Sequence, residues 1–581
     1  MKTKHMDTLH KIERIVDDHH RSNPLFRLSL PIFILKLLEV VETEIFIISE
    51  KTERIIGIAG RDFFLQIGAV LSGASQCIKW AFQNCHDEDN YEMGRFCTEE
   101  EYPMFVDLLF EASKYMDLSE EFTRSHKGQT CFELIDEDTF RFFRKREQHQ
   151  YEKLNQYYIG KKSAEAAAQF ILFTDENVAE MSLKTMINFR KKVEDHYEMD
   201  KNDFLIAIRV FIDQANTWWN IHNKIPEEWE FDDISVREFK QFVVAVFALN
   251  LFEIGASHLE NANKYDRLYT PVFITMDFKL VNDIKMIYPN MEDSSIIYCL
   301  NMLTINNHLD DPLNCCPFIK LSNLIVTTPH ILSMLPAGEA LMHHIPRDDR
   351  KYSKLTNEKE KIQGNSIIKG FQKHYDVIFM RNVSLPKPYP DIDLLIYSEV
   401  DCSLLLLELK WFSGVVTVGK QCNKINSDIQ RAVEQLNRVS EYIERLGNDK
   451  LIEYLHNRGM RSESKSGITK IQYVVVVDGI PDVYNDKYSI LSMNTMNRIF
   501  DNAKNFNEAV EYIRSKKFLI ANNTKHISSF YKIDYAEKTF EIPCYEEYHH
   551  VGRNEPCPCG ERKNNGERKK YKDCCLKDRT S

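Results

Sequence analysis

The sequence predicts a multidomain chain with a mainly α N-terminal region, an α/β sandwich and a small cysteine-rich knuckle at the carboxyl end. Three observations predict it. At 581 residues the chain is too long for one hydrophobic core. Its apolar spacing changes from helical to strand-like after about residue 265. Four of its 14 cysteines, Cys557, Cys559, Cys574 and Cys575, crowd together at the end. The regions read as 1–264, mainly helical; 265–345, a small mixed α/β segment; 346–545, the sandwich; and 551–581, the knuckle.

Composition is that of a folded protein, 43% hydrophobic and 28% charged, with no long disordered tract. The formal net charge of −12 means that any affinity for nucleic acid must come from local basic surfaces. "MKTKHMDTLHKIERIVDDHH" lacks the apolar core of a secretion signal. The most apolar run, "LFRLSLPIFILKLLEVVETEIFII", is broken by Lys36, Glu39, Glu42 and Glu44, whereas a bilayer span needs roughly 20 apolar residues. It reads as a buried amphipathic helix or strand. No membrane partner and a cytoplasmic location are the expectations, and ten scattered cysteines suit reduced, buried thiols.

Within 1–264, "SVREFKQFVVAVFALNLFEI" predicts a buried helix opened by a Ser235–Glu238 capping box. "SAEAAAQFILF" and "LKTMINFRKKVEDHY" read as helices too. Trp218 and Trp219 fit packing better than base stacking. "EYPMFVDLLFEA" is acidic and amphipathic and reads as a solvated helix face rather than a site. In the next segment, His308 followed by the adjacent Cys315 and Cys316 invites a metal reading. Adjacent cysteines without a second pair suit a core better.

From 350 to 540 the expected order is helix, strand, strand, helix, strand, strand, helix. "YVVVVDG" is apolar throughout, as a strand covered on both faces is. The chemistry lies in "DIDLLIYSEVDCSLLLLELK", residues 391–410. Side chains alternate along a strand, so Glu408 and Lys410 share one face while Leu407 and Leu409 take the other. Asp393 opens the neighbouring strand at hairpin distance. Two carboxylates and an ammonium then cluster at the edge of an apolar sheet. Such oxygen ligands suit Mg²⁺ (or Mn²⁺), which activates bound water, while Lys410 can orient or help deprotonate that water and stabilise developing charge. The bland alternative is a surface hairpin with solvated charges.

These residues resemble the PD-(D/E)xK nuclease superfamily, whose fold is shared with restriction enzymes. Pro390-Asp391 with Glu408-Leu409-Lys410 fits the motif as written. The resemblance implies a restriction-endonuclease-like sandwich and places a metal-binding acid directly before the apolar strand. That position is Asp393, with Asp391 as a second ligand or substitute. It also implies an acid on the preceding helix, which Glu360 or Glu358 matches by position, and a glutamine on the following one, where Gln430 and Gln435 qualify. Residues 347–390 hold ten Lys+Arg against five Asp+Glu, a local surplus of the kind that phosphate binding needs.

At the end, "GRNEPCPCGERKNNGERKKYKDCC" offers four thiolates, enough to surround one Zn²⁺ tetrahedrally and to fold a tail that cannot build a core. It resembles the SEC-C motif in "GRNEPCPCG" and "KKYKDCC", and departs from it in a long spacer of 14 residues between Cys559 and Cys574. With nine Lys+Arg against five Asp+Glu in 551–581, the tail suits nucleic acid or an acidic protein partner. The expected function is a metal-dependent DNA endonuclease of a bacterial defence or restriction-type system, the last step resting on analogy. An RNA-cleaving effector with the same site and an inert zinc-bearing adaptor that binds nucleic acid are the rivals. A homodimer is an open expectation. Chain purified without chelator should carry a zinc ion that Cys574→Ser with Cys575→Ser removes. Elemental analysis showing an unchanged zinc content would sink the reading of the tail.

Overall fold

The computed structural model describes residues 2–53, 60–86, 97–144, 151, 184, 201–223, 225–261, 272–307, 309–328, 331–332, 334–345, 351, 355–412, 417–461, 468–516 and 529–544. The cysteine tail, His308 and the stretches "SAEAAAQFILF" and, apart from Lys184, "LKTMINFRKKVEDHY" lie outside them. The protein is multidomain. It divides into two compact units, one made of Met1–Ile12, Glu120–Ile159 and Lys354–Ser581, the other of Glu13–Ser119 and Gly160–Ser353.

Among the described residues, twelve strands run in chain order: β1 Cys131–Leu134, β2 Thr139–Phe143, β3 Phe273–Met276, β4 Ile319–Leu321, β5 Leu324–Thr327, β6 Ile378–Val383, β7 Ile392–Ser398, β8 Ser403–Trp411, β9 Lys470–Asp478, β10 Ser489–Ser492, β11 Ser529–Tyr535 and β12 Lys538–Cys544. They form a four-stranded sheet β1-β2-β12-β11, a five-stranded sheet β10-β9-β8-β7-β6 and a three-stranded sheet β3-β5-β4.

The second unit is mostly helical. Leu30–Glu53, the most apolar run of the chain, is a helix with Phe33, Ile34, Leu37 and Leu38 fully buried. Lys36 is buried as well, and its ammonium meets Glu101 at 2.5 Å. That ion pair accounts for Lys36, while Glu39 accepts from Cys97 N and Glu44 from the Tyr102 hydroxyl, both at 2.8 Å. No described helix is long and apolar enough to cross a membrane. "EYPMFVDLLFEA" is an amphipathic helix as read: Phe105, Leu108, Leu109 and Ala112 are fully buried in the same core, while Met104, Asp107 and Phe110 are exposed. The capping box forms as expected, the Glu238 carboxylate accepting from Ser235 N at 2.9 Å and from Ser235 Oγ at 2.7 Å. Trp218 and Trp219 are packing residues, set against Phe247 and Phe239.

In the first unit the five-stranded sheet is covered on both faces. On one face the helix Thr356–His374 and the helices Met493–Asn502 and Phe506–Arg514 pack against Leu405, Leu407, Leu409, Val474 and Val476. On the other, Gln430–Leu446 and Asn448–Asn457 cover Leu395, Leu404 and Leu406. That double burial is why β8 and β9 read as unbroken apolar runs. Three features differ from the sequence reading. β6 precedes the hairpin and pairs antiparallel with β7. It is a half-exposed edge strand with no apolar alternation to betray it. A further helix, Asn448–Asn457, lies before β9. The third is a non-contiguous unit: β12 pairs in parallel with β2 through Thr539↔Thr139 and Phe540↔Phe140, drawing residues 120–159 out of the amino-terminal region.

Where β8 and β9 end, Phe412 N bonds Asp478 O at 2.8 Å. Gly479 follows with φ +86°, and a Cβ there would sit 1.6 Å from Phe412 O. Gly459 has φ +99° with open space around it. Gly459→Ala should therefore cost only the left-handed backbone penalty, about 1 kcal/mol. Gly479→Ala adds a backbone collision and should cost at least twice that. Denaturant melts of the two variants check the difference, and equal losses would contradict it.

Candidate active site

The β7–β8 register pairs Leu394 with Leu407 and Leu395 with Leu406. Continued by one residue, it sets Asp393 directly opposite Glu408. The two carboxylates share a face because cross-strand partners do. Asp393 is anchored there, its Oδ2 accepting from Leu409 N at 2.7 Å. Lys410, next on the same face, donates to Glu408 Oε1 at 2.5 Å. The Glu408 side chain is 2% exposed and that of Lys410 22%, so the pair leads from the interior to the surface.

The neighbours explain this placement. Glu408 and Lys410 register with Val475 and Val477 of β9. On that face one apolar cluster contains Leu406 and another contains Phe412, Val475 and Val477. Glu408 and Lys410 stand between Leu406 and Phe412 in sequence, so charge interrupts a face that is otherwise apolar.

The helix Thr356–His374 brings Glu360 to the same place. Burial, then the Asp393 charge, raises the pKa of Glu360, while Lys410 lowers it. Burial also raises Asp393, against the Leu409 hydrogen bond and the Lys410 charge. For Glu408, burial and the Asp393 charge push the carboxyl up to about 7 despite the adjacent ammonium. Burial of Lys410 lowers its pKa, but Glu408 and the other two carboxylates outweigh that and hold the ammonium above its usual range. Three carboxylates against one ammonium leave a buried surplus of negative charge.

The remaining expected residues fare differently. Asp391 is exposed and lies just before β7, acting on Asp393 only through its charge. Glu358 is exposed. Gln430 is exposed, and Gln435 is half-buried beside the inward row Ala432, Leu436 and Val439. Neither glutamine hydrogen-bonds the carboxylates.

Sequence reasoning passed over Gln363. It lies one turn beyond Glu360 and is 3% exposed. Its Nε2 donates to Val476 O at 3.1 Å. Val476 pairs with Leu409, the residue between Glu408 and Lys410. Gln363 therefore ties the helix that carries Glu360 to the strands that carry the site. An i, i+3 polar pair on an otherwise amphipathic helix was the available signal.

With this geometry in hand, comparison with known proteins adds no relative: the chain matches no protein-family model, no curated protein and no solved structure.

The Glu408 pKa fixes a stability prediction for metal-free protein. The folded value is about 7 against an ordinary 4.5. Between the two the folded chain holds a proton that the unfolded chain has lost, so stability falls as pH rises through that window and stays low above it. Glu408→Gln removes the titration and still accepts from Lys410. In EDTA it should melt higher than wild type near pH 8, with the gap closing towards about pH 5. A wild-type protein that melts higher at the alkaline end would refute the assignment.

Proposed function

We propose that the protein is a metal-dependent nuclease of the PD-(D/E)xK type, hydrolysing phosphodiester bonds, with DNA the favoured substrate. The observation that carries this reading is the cross-strand pair Asp393 and Glu408 with Lys410 next on the same face, at the end of an apolar strand. The order helix, β6, β7, β8, helix, β9, β10 with helices on both faces supports a restriction-endonuclease-like fold for this unit.

The donor set fits Mg²⁺ or Mn²⁺. It is all oxygen, it is rich in acid, and its surplus negative charge is buried, where a divalent cation offsets it. Asp393 and Glu408 would hold the ion, with Glu360 adjacent. When bound, it would polarise the phosphate and lower the pKa of the attacking water. Lys410, kept protonated, is a poor proton acceptor at neutral pH. Its role is to donate to the nucleophile or to the phosphate oxygens and to stabilise charge as it develops. Gln363 positions the helix of Glu360. The SEC-C-like tail belongs to this reading as a zinc-held docking element for nucleic acid or an acidic protein partner.

The test is incubation of purified protein with plasmid, linear DNA and RNA in Mg²⁺, Mn²⁺ or EDTA. Cleavage should need the divalent ion, and Asp393→Asn, Glu408→Gln and Lys410→Ala should each lose at least about 100-fold in rate. Asp391→Asn should stay near wild type. Variants that all cleave as wild type does would overturn the site. Loss in Asp391→Asn but not in Asp393→Asn would move the ligand to Asp391, and RNA-only cleavage would replace DNA as the substrate.

A further inference from the structure

The unit built from Glu13–Ser119 and Gly160–Ser353 contains a second group of ligand-type side chains. One ligand atom from each of Asp311, His343 and His344 lies within 4.8 Å of the others. His343 Nε2 is 2.8 Å from Asp311 Oδ1, with side-chain exposures of 2% and 15%. His343 and His344 are consecutive in the last turn of the helix Ala337–His344, their rings 4.8 Å apart and nearly perpendicular. A thiol stands next to them: Cys316 Sγ, on a fully buried residue, is 3.4 Å from His344 Nε2.

We propose that Asp311, His343 and His344 bind a divalent transition-metal ion of the zinc class, with the Cys316 thiol beside His344 offering a fourth donor. An Asp–His ion pair on its own would need one histidine. Here a second imidazole comes to the same place from the helix end, with a thiol from the segment before β4 against it. Imidazole, carboxylate and thiol together suit zinc or cobalt and disfavour magnesium or calcium, which prefer oxygen alone. One pair already stands at ligand spacing. Zn–N and Zn–S bonds of about 2.0 and 2.3 Å put two tetrahedral donors roughly 3.5 Å apart, close to the 3.4 Å between His344 Nε2 and Cys316 Sγ. Both histidines sit at a helix carboxyl terminus, where the last carbonyls favour a cation. The ion would clamp the Asp311–Cys316 segment to the end of that helix, a structural role independent of the sheet-edge site.

The test uses the whole chain, loaded with Zn²⁺, desalted and analysed for metal. His343→Ala with His344→Ala should hold about one zinc fewer per chain than wild type. Asp311→Asn keeps a hydrogen-bonding group for His343 but loses the carboxylate, so it should bind that zinc at least tenfold more weakly in a competition titration with a chromophoric chelator. The difference between variants cancels any zinc held elsewhere in the chain. If circular dichroism shows the double variant unfolded, Asp311→Asn alone decides. Zinc content and affinity equal to wild type in the folded variants would overturn the proposal and leave an ion pair beside a thiol.

Discussion

Leu394 faces Leu407 and Ile396 faces Leu405 across the β7–β8 hairpin, and everything at the sheet edge depends on that register. Side chains alternate with period two, so a slip of one residue would turn Glu408 into the core of Ile367, Phe371 and Val476. The same slip would send Leu407 and Leu409 out of it. The apolar residues therefore choose the register, and the charged residues are carried to their positions by it. Leu405, Leu407 and Leu409 serve one face and Leu404 and Leu406 the other, so two cores vote for one alignment. The site is as exact as the packing that surrounds it.

That packing is unfavourable to the carboxylates it buries. Burial raises Asp393, Glu360 and Glu408 together, and a single ammonium cannot balance them. Proteins tolerate such surpluses where something else compensates for them, and perturbed carboxylates cluster at functional sites for that reason. A purely structural hairpin would gain stability from an apolar residue in place of Glu408, since Leu404 and Leu406 already fill the same face. The retained cost is the physical content of the functional reading.

Much of the site was legible because it rests on the simplest periodicity in proteins. Asp393, Glu408 and Lys410 needed only alternation and hairpin length. Glu360 was placed by position on a helix, and the structure separates it from Glu358 by the face each occupies. β6 was not legible, because a half-exposed edge strand carries little apolar pattern. Nor was the pairing of β12 with β2, whose partners are 400 residues apart and come together only in three dimensions. Cys315 and Cys316 are fully buried, as the core reading of that adjacent pair expected, and His308 lies outside the described residues. What the sequence did not offer was His344, which lies 28 residues beyond Cys316 and reaches it only through the fold.

The two candidate metal sites differ in a way that keeps their chemistries apart. The sheet-edge site offers carboxylate oxygens and an ammonium, a set that binds hard cations weakly and leaves room for water and substrate oxygens. The Asp311 site offers imidazole nitrogens with a thiol alongside, and first-row metals prefer such donors in the order that places zinc and copper far above magnesium. Proton competition differs as well. A carboxyl at about 7 must release its proton before the sheet edge can hold an ion. On the proposed nuclease reading its occupancy would follow both pH and an abundant hard cation, as suits a site that exchanges ligand on each turnover. A clamp between a helix end and a neighbouring loop has the opposite requirement. It works best with an ion that stays, and nitrogen and sulfur donors supply that.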